Sequence, residues 1–200
     1  HLYYYSLLAL TKHFDRYGMM VFDVKSIPIH AGSMRYYVCK KGSRHSTLVS
    51  PQVTALKEEE LAKGFHQAET YARFAADVAD RKEKLMDLLA RLKAKGHTIA
   101  GYGASGRANT IIQYCGIDHR HLDYMIDDAP AKSGFYTPGS HFLIRPRSVL
   151  QESPSPDYLL IFAWSFLDEI EQKCADYLDN GGRMIVPLPN VKVIMHPAGD

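Results

Sequence analysis

The sequence lacks the features that would direct it to a membrane or to a nucleic acid. No apolar run approaches the ~18 residues that a membrane-spanning helix requires, and no secretory signal is present. The 24 basic and 22 acidic residues are interspersed and give a formal net charge of +2, so no basic stretch marks a polyanion-binding surface. We therefore expect a cytoplasmic protein that contacts neither membranes nor nucleic acids.

Cysteine is also scarce. Cys39, Cys115 and Cys174 are far apart and have no paired spacing, which favours free thiols in a reducing compartment over disulfides or a zinc knuckle.

The chain has no starting methionine. It opens with the apolar and aromatic run HLYYYS, which is typical of the middle of a folded domain. We expect the chain to be part of a longer protein.

A pair of histidines, His119 and His121, lies beside Asp118 and Asp123. We interpret this group as a polar loop between a helix and a strand, because no third cluster of ligands accompanies it. The sequence therefore predicts no metal site.

The first 96 residues predict two segments. Residues 1–43 contain a helix over 6–17 and strands over 19–24 and 34–39, too little to bury both faces of a sheet, so they resemble the end of a larger sheet domain. Residues 44–96 form a polar linker and a helical pattern beyond Thr54. An unbroken helix there would be about 60 Å long, so we expect it either to span two domains or to bend near Gly64.

Residues 97–200 alternate between strand and helix patterns. Strands are predicted over 97–101, 122–127, 142–144, 157–164 and 183–187, with helices over 105–114, 145–151 and 166–178. Short connections between such elements favour a parallel sheet covered by helices on both faces. The fold class we expect is α/β, a Rossmann-like, doubly wound and mostly parallel sheet, preceded by the long helix and the helix-strand-strand remnant.

The most informative motif is the run GYGASGRANT at 101–110, which ends the first of these strands and begins a helix. Its GxGxxG pattern suits a tight turn that brings backbone and helix N–H groups close to a phosphate. Arg107 is suited to pair with that phosphate, and Asn109 or Thr110 to hydrogen-bond it. The pattern alone is weak, because glycines also serve turns that bind nothing.

Other polar and aromatic residues follow later strands, where ligands of such sheets collect. Asp127 and Asp128 end the second strand, and their role as ribose acceptors or as turn caps remains equally open. Trp164 and Ser165 follow the fourth strand. Trp164 suits either core packing or a platform for a ring.

Four segments together resemble the C-terminal domain of the sugar C-methyltransferase family: GYGASGRANT, YMIDDAPAKSGFYTPGSH, PDYLLIFAW and GGRMIVPLP. They occur in the family's order and cover most of residues 97–190. The opening HLYYYSL, followed by FDV and HAGSMRYYV, resembles the end of the family's central methyltransferase domain. These enzymes transfer a methyl group from S-adenosylmethionine to a carbon of a nucleotide-linked 4-keto deoxysugar.

The resemblance implies roles for the first segment. His1 corresponds to the last histidine of a His-Glu-His run, the base that removes the proton next to the ketone, and Tyr3 and His30 would contact the substrate. The S-adenosylmethionine site would lie mostly outside this chain, and zinc would belong to an amino-terminal domain ahead of it. The chain alone should then be inactive.

The resemblance also changes the ligand expected at the glycine turn from NAD to the diphosphate or nucleoside of a nucleotide-sugar. Residues 97–200 would anchor that substrate through Tyr102, Gly103, Ala104, Ser105, Arg107, Asn109, Asp127, Asp128, Lys132, Tyr136, Trp164 and Ser165. Two other interpretations remain: an NAD(P)-binding oxidoreductase or regulatory module, and a purely structural or dimerisation domain.

Overall fold

The computed structural model describes residues 3–29 and 32–196 of the 200-residue chain. The chain divides into two compact units, His1–Asp77 and Val78–Asp200. Among the described residues, no helix combines the length and the apolar character needed to cross a membrane.

The first unit contains two helices and a two-stranded antiparallel sheet. Helix α1 spans Leu7–Asp15, strands β1 and β2 span Met19–Ile27 and Ser33–Lys40, and helix α2 spans Pro51–Ala62. A short 3-10 helix, Arg44–Thr47, precedes α2. Its small core consists of Leu7, Val21, Val24 and Val53.

A buried carboxylate holds the beginning of α1. Glu60, on α2, is only 5% exposed and accepts hydrogen bonds from the backbone N–H groups of Leu7 at 2.7 Å and Leu8 at 2.8 Å. The Ser6 hydroxyl accepts the next one, from Ala9 at 3.2 Å. These three N–H groups have no partner within the helix, and a negative charge at a helix amino terminus is favourable.

The helical pattern after Thr54 is divided into two helices. Helix α2 ends at Ala62, and helix α3 spans Ala68–Ala94. Gly64 lies between them with φ of +72°, a left-handed conformation that ends a helix at little cost only for glycine. The expected interruption near Gly64 is observed, and α3 itself crosses the boundary between the two units at Asp77.

The second unit contains a six-stranded sheet and the helices that cover it. Strands β3 to β8 span Ile99–Tyr102, Tyr124–Ile126, Ile144–Arg145, Tyr158–Ile161, Arg183–Val186 and Lys192–Ile194. Their order is β5-β4-β3-β6-β7-β8, with every neighbouring pair parallel except β7 and β8. This is the 3-2-1-4-5-6 strand order of the Rossmann fold, so the expected fold class is confirmed.

The two faces of the sheet have separate cores because side chains alternate along each strand. On one face, α3 and helix α4, Gly106–Cys115, pack against residues such as Ile99 and Leu160. On the other face, helices α5 and α6, Leu167–Lys173 and Ala175–Asp179, pack with the 3-10 helix Arg147–Gln151. Every residue of β3 and β6 is buried, which places these two strands at the centre.

Three details differ from the sequence-based expectations. Trp164 belongs to a 3-10 helix, Trp164–Phe166, and not to the preceding strand. The helix expected over 166–178 is divided at Cys174 into α5 and α6. The antiparallel strand β8 was not expected, since its three residues carry too short a pattern to indicate a strand.

Glu60→Ala should lower the stability of the first unit by about 3 kcal/mol, because the buried N–H groups of Leu7 and Leu8 lose a charged acceptor. Amide hydrogen exchange at these two residues measures the effect, together with urea unfolding. Glu59→Ala is the matched control, since Glu59 is exposed and its carboxylate pairs with Lys63. Equal effects of the two substitutions would contradict this account of α1.

Candidate functional site

The candidate site lies where the order of the strands reverses direction. The chain leaves β3 towards β4 on one side, and β6 lies on the other side of β3. In open α/β sheets, the crevice outside the carboxyl ends of two such strands is the usual ligand site. Here its walls are the turn at 103–105 after β3 and the segment at 162–166 after β6.

Two of the three glycines in the GxGxxG pattern are required by the packing of the chain itself. Gly101 lies inside β3, and a Cβ there would come within 2.8 Å of Phe162 and also collide with the sulfur of Met125. Gly103 makes the turn with φ of +95°, and a Cβ there would lie 2.8 Å from that of Ala163. Both positions therefore need glycine for reasons unrelated to a ligand.

Gly106 is different from the other two glycines. Its φ is not in the left-handed region, and a Cβ at this position would meet no atom within 4 Å. It is exposed at the first position of α4. Nothing within the described chain requires glycine there. The space beside the start of the helix is open.

The start of α4 presents N–H groups to this open space. Ser105 is the N-cap, and its hydroxyl accepts a hydrogen bond from Ala108 N–H at 3.3 Å. The N–H groups of Gly106 and Arg107 have no partner among residues 3–29 and 32–196. The positive end of a helix with free N–H groups favours an anion.

Arg107 connects the two walls of the crevice. Its Nη1 donates a hydrogen bond to the Ser165 hydroxyl at 3.0 Å, and its guanidinium carbon lies 5.5 Å from the centre of the Trp164 ring. The hydrogen bond and the cation–π contact bring Arg107, which follows the first strand of the sheet, together with two residues that follow the fourth. Arg107 is exposed and has no carboxylate partner in the described part of the chain.

On the β4 side, Tyr102 and Asp128 form a hydrogen bond. The Tyr102 hydroxyl donates to Asp128 Oδ1 at 2.9 Å, and the Tyr102 side chain is 3% exposed. Burial, and next the neighbouring Cys174 and Asp128, raise the pKa of Tyr102, so its phenol remains a neutral donor. Asp128 also faces Lys173 at 3.2 Å and Arg147 at 3.6 Å.

Asp127 has partners of its own within the chain. Its Oδ1 accepts from Ala129 N–H at 2.9 Å, and its Oδ2 pairs with Lys132 Nζ at 2.8 Å. The same ammonium group donates to the carbonyl oxygen of Ala104 at 2.9 Å. Lys132 thus links Asp127 to the glycine turn.

The remaining predicted residues occupy various places. Asn109 lies on α4, and its Oδ1 is shielded from solvent without a hydrogen-bond partner in the described residues. Tyr136 is 61% exposed and pairs through its backbone with Leu143. Tyr3, in the first unit, is 72% exposed. His1 and His30 lie outside the described residues.

A separate polar groove, lined in part by Asp127 and Asp128, lies on the face that carries α5 and α6. Its volume is about 830 Å³, and Arg147, Lys173, Cys174 and Tyr177 contribute to its lining. The crevice residues Arg107 and Trp164 do not line it. Burial raises the pKa of the Cys174 thiol to about 11, so this group is a poor nucleophile at neutral pH.

Sequence reasoning missed Arg147 and Lys173, the two cations that face Asp128. No local pattern connects them with the end of β4, since they come from a 3-10 helix and from α5.

The described residues contain no group of three His, Cys, Asp or Glu side chains arranged to hold a metal ion. His121 pairs with Asp118.

Together the strand order, the glycine turn and the helix that follows it define a domain with a Rossmann-like fold. Comparison with known proteins identifies the family to which this fold belongs here. The family described as "C-methyltransferase C-terminal domain" matches residues 28–189. The chain belongs to this family.

One relative is the C-methyltransferase NovU from Streptomyces niveus. It is 32% identical to this chain over 195 residues, which is 97% of this chain and 46% of NovU. The chain thus spans about half the length of the curated relative that it matches.

The three glycines should respond differently to alanine. Gly103→Ala and Gly101→Ala should each cost about 2 kcal/mol or more, because the added methyl group collides with Ala163 or with Phe162 and Met125. Gly106→Ala should change the unfolding free energy by less than about 0.5 kcal/mol. Urea unfolding of the three variants measures this, and a Gly106→Ala loss as large as that of Gly103→Ala would show that Gly106 has a packing role.

Proposed function

We propose that this chain is part of an S-adenosylmethionine-dependent C-methyltransferase that acts on a nucleotide-diphosphate 4-keto deoxysugar in the cytoplasm. Its second unit anchors the nucleotide-sugar, with the diphosphate at the turn between β3 and α4. The observation that carries this proposal is the cluster of Arg107, Ser165 and Trp164 beside free N–H groups in the crevice. The family match and the similarity to NovU support it.

Each part of the cluster suits one part of such a ligand. The N–H groups of Gly106 and Arg107, and the Arg107 guanidinium, are donors for phosphate oxygens. The Trp164 ring is half-buried and offers a flat apolar surface for a base. The open space at Gly106 allows the ligand to approach the backbone closely.

The chemistry of methyl transfer would involve the first unit. S-adenosylmethionine supplies an electrophilic methyl group, and we propose that its site lies mostly outside these 200 residues. His1 would accept the proton from the carbon next to the ketone, since a neutral imidazole has a pKa suited to this task. The 200-residue chain should therefore bind the nucleotide part without transferring a methyl group.

Fluorescence of Trp164, the single tryptophan of the chain, tests the anchoring role. Thymidine diphosphate should change the emission in a saturable way, because it binds against the ring. Arg107→Ala should weaken this binding about tenfold, since a charged hydrogen bond to phosphate is lost. Arg120→Ala is the matched control, because Arg120 is also exposed but pairs with Asp118 in the loop between α4 and β4.

The same titration with NADH tests the competing function. The strand order and the glycine turn are also those of dinucleotide-binding domains, which favours an NAD(P)-binding module. Against it, both carboxylates at the end of β4 already have protein partners. Tight binding of NADH without a response to thymidine diphosphate would overturn our proposal.

The catalytic role of His1 is tested in the intact enzyme. His1→Ala should lower kcat by about a hundredfold or more and should abolish exchange of the sugar proton with deuterated water in the absence of the methyl donor. His13→Ala, on α1, serves as the control. Normal proton exchange in His1→Ala would show that another group is the base.

A further inference from the structure

Two adjacent carboxylates at the end of β4 are connected to the residues on either side of Gly103. Asp128 accepts the hydrogen bond of the Tyr102 hydroxyl at 2.9 Å. Asp127 pairs with Lys132 at 2.8 Å, and Lys132 donates to the carbonyl oxygen of Ala104 at 2.9 Å. The residue before Gly103 and the residue after it are therefore both attached to the same short segment.

The alternation of side chains along a strand explains why two consecutive residues reach both attachment points. Tyr102 points to the face covered by α5 and α6, where Lys173 and Arg147 also meet Asp128. Asp127 pairs instead with Lys132. Gly103 itself is attached to the same strand, because its N–H donates to the Ile126 carbonyl at 2.8 Å.

Both carboxylates already have partners within the chain. Asp127 is only 11% exposed in its side chain, and both of its oxygens accept hydrogen bonds within the chain. Asp128 accepts from Tyr102 through Oδ1 and from Lys173 through Oδ2. A ribose hydroxyl would have to compete with these partners, and competing with a cation for a carboxylate is costly.

We infer that Asp127 and Asp128 are positioning residues that hold the turn at Gly103 in the conformation that binds the anion, and that they do not contact the ligand. This inference rests on the proposed function of the turn. Asp128 acts on the turn through Tyr102, and Asp127 acts on it through Lys132. Contact with the ligand falls to Arg107, at the start of α4, and to Ser165 and Trp164, which follow β6. These contacts preorganise the turn, so that ligand binding does not have to include the entropic cost of ordering it.

Two probes distinguish positioning from contact with ribose. Inorganic pyrophosphate has no ribose, whereas thymidine diphosphate has one. Asp127→Asn and Asp128→Asn should each weaken the binding of both probes by the same factor, about tenfold. Loss of a negative charge near an anion would by itself strengthen binding, so weakening is not explained by charge alone. Weakening of thymidine diphosphate alone would overturn the inference in favour of ribose contact.

A double-mutant cycle tests whether Asp128 acts through Tyr102. Tyr102→Phe and Asp128→Asn should each weaken pyrophosphate binding, and the double variant should be no weaker than the more damaging single variant. Additive losses would mean that the two residues act independently. Tyr177→Phe is the matched control, because Tyr177 is 5% exposed on the same face and bonds to the Arg183 backbone instead.

Amide hydrogen exchange separates failure of this inference from failure of the proposed function. If the wild-type chain binds neither probe, the proposed anchoring role is wrong. The exchange of Gly103 N–H should still become about tenfold faster in Asp127→Asn and Asp128→Asn. It should be unchanged in Asp157→Asn, whose carboxylate holds Thr98 at the opposite end of β3. Unchanged exchange in the first two variants would overturn the inference.

Discussion

The second unit depends on the close approach of two backbone segments at Gly103. With φ of +95° and no side chain, this residue lies directly against Ala163, so the chain leaving β3 touches the chain leaving β6. That contact narrows the crevice at the point where the strand order reverses. It brings the start of α4 next to Trp164 and Ser165, and the interaction of Arg107 with both of them follows from it.

The two sides of the crevice differ in how their charges are used. On the β4 side, the positive charges of Lys132 and Lys173 lie beside the carboxylates of Asp127 and Asp128. On the β6 side, Arg107 interacts with a hydroxyl and an aromatic ring, and its charge is not neutralised by them. The positive charge of the site therefore comes from Arg107 and from the amino terminus of α4. The lysines on the β4 side do not add to it, because the two aspartates balance their charges.

The sequence predicts the layers of the fold better than its details, for identifiable reasons. The apolar strands β3 and β6 and the glycine turn are visible because their patterns are local. The division of α5 from α6 at Cys174 is not, since no glycine or proline marks it. Arg107, Trp164 and Ser165 could be placed at one sheet end from strand order alone. The partners of Asp127 and Asp128 could not, because Lys173 and Arg147 reach them through long-range packing.

Both edges of the six-stranded sheet expose few backbone groups. At one edge, the backbone of Ile144 in β5 is already bonded to Gly134 and Phe135 of the preceding loop. At the other edge, β8 is only three residues long. A strand from another molecule needs a row of free N–H and C=O groups to extend a sheet. The six-stranded sheet of the second unit thus carries its own protection against edge-to-edge aggregation.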